Sequence, residues 1–240
     1  MRVRFLSVGD RALAIEFGDR IERGLSRAVL RLDRVIRAER PPGVVETVPT
    51  FRSLLVHYDP LTISRAELEP AIAGLLDRDP GDQAAGRLWR VPVCYEGELA
   101  PDLAEVALLT GLAAADIPAL HGSVLYHVYM LGFLPGFPYL GDLPEPLRLP
   151  RRADPRLRVP AGSIAIATAL TAIYPYESPG GWHLIGATPL RFFDPARTPP
   201  ALLAPGDAVR FEPIGADAFA AIRHAIAIGG YEAESEPLDL

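Results

Sequence analysis

The sequence predicts an α+β protein of two units, a small N-terminal α/β sandwich over residues 1–84 and a β-barrel over residues 85–240. Three observations predict it. The N-terminal part reads strand, strand, helix, strand, strand, helix, an order that suits two helices on one sheet face. The C-terminal part carries many short strands punctuated by glycine and proline. Between them, residues 78–87 are polar and rich in Gly and Pro, which marks a linker.

Residues 2–8 and 12–17 alternate around the turn at Gly9-Asp10, as strands with one buried face do. Ile21, Leu25, Ala28, Leu32, Val35 and Ile36 then fall on one helical face. Residues 44–50 and 53–58 read as a hairpin. Ser64 and Glu67 have the spacing of a capping box, and Ile63 is placed to staple onto Leu68. Pro70 predicts a kink or a later helix start, because proline removes a helical N–H. Beyond the linker, residues 88–95 open a different rhythm, with helical runs over 101–109 and 116–121. Short strands follow over 125–131, 163–167, 170–174, 182–185, 190–193 and 208–212. Such a series favours a closed or nearly closed barrel, since closure leaves no unpaired edge. A last helix over 217–228 puts Phe219, Ile222 and Ile226 on one face and stops at Gly229-Gly230.

Composition excludes several chemistries. All 24 cationic side chains are arginine. Without lysine the chain holds no P-loop, no Schiff-base amine and no biotin attachment site. The net charge is −6, and no cation lies between Arg90 and Arg148. A basic groove is therefore absent from that stretch, and although 103–121 superficially resembles a helix-turn-helix, no nucleic-acid partner is expected. Cys94 is the sole cysteine, so there is no intrachain disulfide, and no metal site is expected. With no signal segment and no run near the ~18 apolar residues of a membrane span, a cytoplasmic location without membrane partners is expected.

Two blocks, YMLGFLPGFPYLGDLP (129–144) and RVPAGSIAIATALTAIYPYESPGGWHLIGATP (158–189), carry the densest Gly, Pro and aromatic content. Glycine supplies positive φ, proline pre-sets φ and aromatics make large, stiff walls. Phe133, Pro135, Gly136, Phe137 and Tyr139 on one side, and Tyr174, Tyr176, Ser178, Pro179, Gly180, Gly181 and Trp182 on the other, therefore read as the rim of a substrate-binding pocket or as a partner surface. Between the blocks lie Arg148, Arg151, Arg152, Arg156 and Arg158, a local anion trap of which Arg151 and Arg156 are the binding candidates. The competing account is a face that pairs with the acidic 96–145 region. Ser178 lacks the setting of a nucleophile elbow and reads as a turn former. His121 follows a short helix and precedes a strand, where an imidazole serves either as a proton-transfer group or as a hydrogen-bonded strut. His127 and His183 flank the blocks and read as packing or solvent-facing groups.

These blocks occur in order with V-P-V-C-Y (91–95), P-D-L-A-E-V-A (101–107), P-R-R-A-D-P-R-L-R-V-P-A-G-S (150–163), I-Y-P (173–175), S-P-G-G-W (178–182) and P-G-D-A-V-R-F (205–211). Together they resemble the family of the B-type subunit of 5-oxoprolinase. That family also contains Kip-type inhibitors of a sporulation histidine kinase and the first subunit, or segment, of allophanate hydrolase and urea carboxylase. The resemblance implies a cyclophilin-like barrel. It further implies a subunit, inactive alone, of an ATP-dependent 5-oxoprolinase that opens 5-oxoproline to glutamate. The partners would be a second cyclophilin-like subunit of C type and a third subunit of A type, with ATP bound through the complex, and His121 matches a family histidine. The inhibitor branch implies a histidine kinase partner instead, and the urea branch a biotin-bearing one. Ala165, Thr168, Leu170 and Ala172 replace three glycines and a glutamine usual in related sequences, and Ala187 stands where an arginine is common. Losing an amide and a guanidinium removes hydrogen bonds worth about 1–3 kcal/mol each if buried.

From sequence alone, Arg156→Ala should weaken binding with little loss of thermal stability, because a charged loop side chain is seldom a core element. Limited proteolysis is expected to cut first within 80–88 and to leave a stable fragment starting near Leu88. First cleavage inside 20–77, with no such fragment surviving, would move the boundary.

Overall fold

In the computed structural model the alternating N-terminal runs become strands β1 (Arg4–Val8), β2 (Ala12–Glu16), β3 (Val44–Pro49) and β4 (Ser53–Tyr58), an antiparallel sheet in the order β1-β2-β4-β3. Leu13, Ile15 and Phe17 on one strand run, and Leu54, Val56 and Tyr58 on its neighbour, are buried at every second position. Helices α1 (Arg23–Glu39) and α2 (Arg65–Ala73) share that core through Val29, Leu32, Val35, Ile36, Leu68 and Ile72. Buried Asp33 of α1 accepts Arg37 Nε on both oxygens, at 3.0 and 2.9 Å, and the Thr47 hydroxyl. The capping box forms as its spacing requires: Glu67 accepts from the Ser64 N–H at 2.9 Å and from its hydroxyl at 2.7 Å. Helix α2 starts at the cap and runs through Pro70 rather than starting later. The cap and the burial of Leu68 and Ile72 outweigh one missing hydrogen bond.

The structure describes residues 3–79 and 86–238. Contacts separate the chain into two compact units, Met1–Ala84 and Ala85–Leu240. Of the expected linker, 78–87, residues 80–85 with the 84/85 boundary lie outside the described residues, and Arg87 already opens a strand.

The second unit runs β5 (Arg87–Cys94), α3 (Leu103–Thr110), α4 (Ile117–Gly122), β6 (Tyr126–Leu131), β7 (Pro138–Gly141), β8 (Arg156–Val159), β9 (Ser163–Ala167), β10 (Leu170–Ile173), β11 (Ser178–Gly180), β12 (His183–Ala187), β13 (Ala208–Ile214), α5 (Ala216–Ala227) and β14 (Ser235–Pro237). Strands pair in the order β12-β9-β10-β7-β6-β13-β5, and Ala187 opposite Cys94 joins β12 back to β5, closing a seven-stranded barrel. β14 adds to β5, and β8 with β11 forms a separate ribbon. Inward positions such as Val91, Val93, Val128, Leu140, Ile164, Ile166, Ile185 and Val209 fill one core. The Pro-Gly-Asp string before β13 has a definite task. Buried Asp207 accepts from Arg87 N–H at 2.9 Å, Trp89 Nε1 at 2.9 Å and Ala204 N–H at 2.8 Å, fastening β5 beside β13.

The short strands β8, β11 and β14 lie where the sequence pattern suggested no strand, and two further segments also differ from it. Residues 138–141 form a strand where Gly and Pro suggested only pocket wall, because Tyr139 and Leu140 pair with both β6 and β10. Residues 190–193 form no strand; Leu190 and Phe192 still bury in the barrel core, and Phe193 makes a single bridge to Ala201. Among the described residues no helix is long and apolar enough to cross a membrane.

Candidate functional site

The aromatic residues of the two blocks meet around one ring. Buried Phe137 lies 5.4 Å from Phe133, 5.1 Å from Tyr139, 5.1 Å from Tyr174 and 6.4 Å from Trp182, centroid to centroid. These pairs are largely edge-on, the arrangement aromatic quadrupoles favour. Burial pushes the Tyr174 phenol up to about 12. Phe133 projects from this wall, 61% exposed and with φ 69. Gly136 has φ 75, and a Cβ there would sit 2.8 Å from that of Phe193. The Pro135-Gly136 turn thus needs glycine for both conformation and space. Gly180 packs on the Tyr174 hydroxyl, Gly181 faces Pro155, and Ser178 Oγ is buried without a hydrogen-bond partner beside exposed Pro179.

The arginines of the connector are mostly committed to carboxylates. Arg156 clamps Asp102 with two N–H groups, NH1 to Oδ2 at 2.9 Å and NH2 to Oδ1. Arg152 joins from the side, 3.4 Å from Asp102 and also bonded to Glu105. Arg158 forks onto Glu177 at 2.9 and 3.1 Å. Among the described residues Arg151 has no carboxylate partner; its guanidinium lies 5.8 Å above Trp182. Asp102 is 3% exposed and also accepts from the Leu184 N–H at 2.7 Å. Removing Arg156 would therefore strand a buried carboxylate, so Arg156→Ala must cost stability, contrary to the expectation from sequence.

Asp102, Glu105 and His183 each offer a ligand atom within 4.8 Å of the others, a grouping that could hold a metal and that the sequence did not suggest. Two guanidiniums already neutralise its carboxylates. His183 Nε2 donates to the Pro150 carbonyl at 3.0 Å, and its Nδ1, like Arg152 Nε, is buried without a partner.

His121 lies elsewhere, inside the barrel core. It is fully buried and stacks on Phe211 at 4.5 Å. Thr171 Oγ1 donates to the Ala165 carbonyl at 3.0 Å, so it accepts from His121 Nε2 at 3.1 Å; Nδ1 then accepts from the Tyr95 hydroxyl at 2.8 Å. Each proton in this chain is used once, with neutral imidazole. Burial pushes the His121 pKa down to about 3 and the Tyr95 phenol up.

A cleft of about 660 Å³ takes only Tyr176 from the residues singled out as pocket wall, although much of its lining comes from the same 158–189 block. It opens between the Pro160–Ser163 turn, the 187–195 segment, residues 98–101 and α5. The aromatic wall backs onto it, for Gly136 packs on Phe193, and Phe193 and Tyr176, with rings 6.0 Å apart, both line it. Ala187 also lines the cleft. Sequence reasoning missed Glu98, Arg191 and Arg223 there because they come from three distant segments with no local motif.

The chain is of the carboxyltransferase-domain class: residues 3–203 match the family of the carboxyltransferase domain, subdomains C and D. The B-type subunit of 5-oxoprolinase from Escherichia coli O157:H7 is 42% identical over 88% of this chain and 96% of its own length. Its counterpart from Bacillus subtilis strain 168 is 37% identical over 88% and 92%. The chain belongs to this family of B-type 5-oxoprolinase subunits. Among solved structures, TTHA0988 is 41% identical, with a TM-score of 0.76 over 85% of this chain, which spans only 40% of that one. The urea amidolyase of K. lactis superposes with a TM-score of 0.79 over 98% of this chain and 16% of its own at 20% identity, a likeness of fold.

His121 generates a pH prediction. Its folded pKa is about 3 against an ordinary 6.5. As pH falls the unfolded chain takes up the proton first, so this contribution to stability is intact above about 6.5 and drains away toward pH 3, at up to about 1.4 kcal/mol per pH unit. NMR of the imidazole should find it neutral at pH 5, and urea midpoints should fall less steeply below pH 6.5 in a His121→Phe variant. A His121 midpoint near 6.5 would contradict the buried, neutral assignment.

Proposed function

We propose that this chain is one component of a multi-subunit, ATP-dependent 5-oxoprolinase, acting in the cytoplasm with a second cyclophilin-like subunit of C type and a third subunit of A type. The observation that carries the reading is the nearly full-length match to two bacterial proteins named as B-type subunits of 5-oxoprolinase. A subunit so named belongs to an assembly, and the longer TTHA0988 chain holds this fold as only part of itself.

The site chemistry supports a shared active site. Opening a lactam requires activation of an unreactive amide carbonyl, by phosphorylation in an ATP-dependent route, and then attack by water. The chain has no lysine for a phosphate loop. Among the residues predicted from sequence, His121 is enclosed and neutral, and Ser178 has no base hydrogen-bonded to it. What the chain supplies is a cleft and a rigid aromatic wall beside it, suited to holding a substrate while partners deliver phosphate and water. The urea reading rests on a distant likeness and is not favoured by any residue of the cleft.

The purified chain alone should release no glutamate from 5-oxoproline and ATP, and adding C-type and A-type subunits should restore ATP-dependent release. Turnover by the single chain at the rate of the mixture would contradict this reading. So would a complete mixture that stays inactive.

A further inference from the structure

We propose that the cleft of about 660 Å³ binds a small dipolar acid, with Arg223 of α5 taking its carboxylate and Glu98 taking a hydrogen-bond donor at its other end. The inference deepens the 5-oxoprolinase reading and rests on it for the choice of probe.

The cleft's volume lies within the roughly 300–1,000 Å³ of small-molecule sites, and its walls include Tyr176, Phe193 and Phe219. Four charged side chains line it: Glu98, Arg191, Asp194 and Arg223. They sum to zero. Arg191 stands 3.4 Å from Asp194, so that pair is largely answered within the protein. The other two are not. Among the described residues Arg223 and Glu98 have no ion-pair partner. The Arg223 guanidinium carbon lies 5.7 Å over the ring of Phe219, a contact that orients the fork without neutralising it. Glu98 sits on the separate 3-10 turn Gly97–Leu99.

One uncommitted cation and one uncommitted anion on different elements of a cleft with mixed polar and aromatic lining define the ligand class. A purely apolar ligand would leave both charges unanswered. A polyphosphate would bring several negative charges toward Glu98 and Asp194 with one free cation to meet them, which like-charge repulsion opposes. A carboxylate with an N–H or ammonium a few bonds away answers both. The guanidinium fork matches the carboxylate in bidentate fashion, and Glu98 accepts from the nitrogen. A cyclic lactam acid such as 5-oxoproline has this pattern, and so does the amino acid formed when its ring opens.

Calorimetric titration of the full chain with 5-oxoproline, L-proline, L-glutamate and ATP tests the site, alongside the KM for 5-oxoproline in the assembled complex. At least one of the three acids should bind. Arg223→Gln should weaken that binding about ten-fold or more, the loss of a charge-assisted bond. Glu98→Gln should weaken it less, since an amide oxygen still accepts. Thermal midpoints of both variants should stay within about 2 °C of the parent, as for exposed side chains. Acid binding that Arg223→Gln leaves unchanged would overturn the proposal, as would ATP binding in place of the acids. Failure of all three acids to bind, with an unchanged KM in the Arg223→Gln complex, would overturn it while leaving the 5-oxoprolinase reading intact. Conversely, Arg223-dependent acid binding beside a complex inactive on 5-oxoproline would preserve the site and remove that reading.

Discussion

The buried ion pair between Asp102 and Arg156 is the constraint on which the rest of the barrel unit depends. Asp102 lies at the start of α3, Arg156 at the start of β8, and their side chains meet across 54 residues of sequence. The same carboxylate takes the Leu184 N–H, while the Asp102 N–H returns to the Leu184 carbonyl at 3.0 Å. Thus one side chain ties α3, the β8–β11 ribbon and barrel strand β12 together. A carboxylate this deep is stable only because each oxygen has several donors. Leu184 and Pro101, fixed by this knot, line the cleft, so the geometry of the cleft follows from it.

Around that knot the unit divides its polar groups by task. The Tyr95–His121–Thr171 chain is enclosed, neutral and fully hydrogen-bonded, which suits a strut within an apolar barrel. Arg151 lies over Trp182, with no carboxylate among the described residues to neutralise it, at the edge of the aromatic wall. Arg223 and Glu98 stand at the cleft with their charges uncommitted. The carboxylates and hydroxyls that hold the fold are paired, whereas the charges of Arg223 and Glu98, which line the cleft, are not. This division fits a subunit that binds and orients while the reacting phosphate and water arrive on other chains.

Local signals were legible in the sequence. The capping box at Ser64 and Glu67 and the hairpin of 44–50 with 53–58 each depend on neighbours within a few residues, and each appears where its pattern put it. The barrel itself was implied by family resemblance more than by periodicity, because closure depends on the pairing of β12 with β5, which no local pattern encodes. Arg156 read either as an anion ligand or as a partner of the acidic 96–145 region, and it takes the second role on Asp102, whose buried state has no sequence signature. Thr168 adopts φ 55 in the turn between β9 and β10, a conformation that glycine takes more readily and that threonine gives no sign of in sequence. The 158–189 block read as pocket wall does supply much of the cleft's lining, but its charged residues went unread for a geometric reason, since they come from a 3-10 turn, a loop after β12 and the last long helix.

A double-mutant cycle on Asp102→Ala and Arg156→Ala, read by urea unfolding of the full chain, tests the central claim most directly. If the ion pair organises this unit, the two substitutions are strongly non-additive, with a coupling of about 2 kcal/mol or more, and Asp102→Ala partly relieves the cost of Arg156→Ala. Additivity within about 0.5 kcal/mol would mean that the pair is incidental and that the cleft is held by something else.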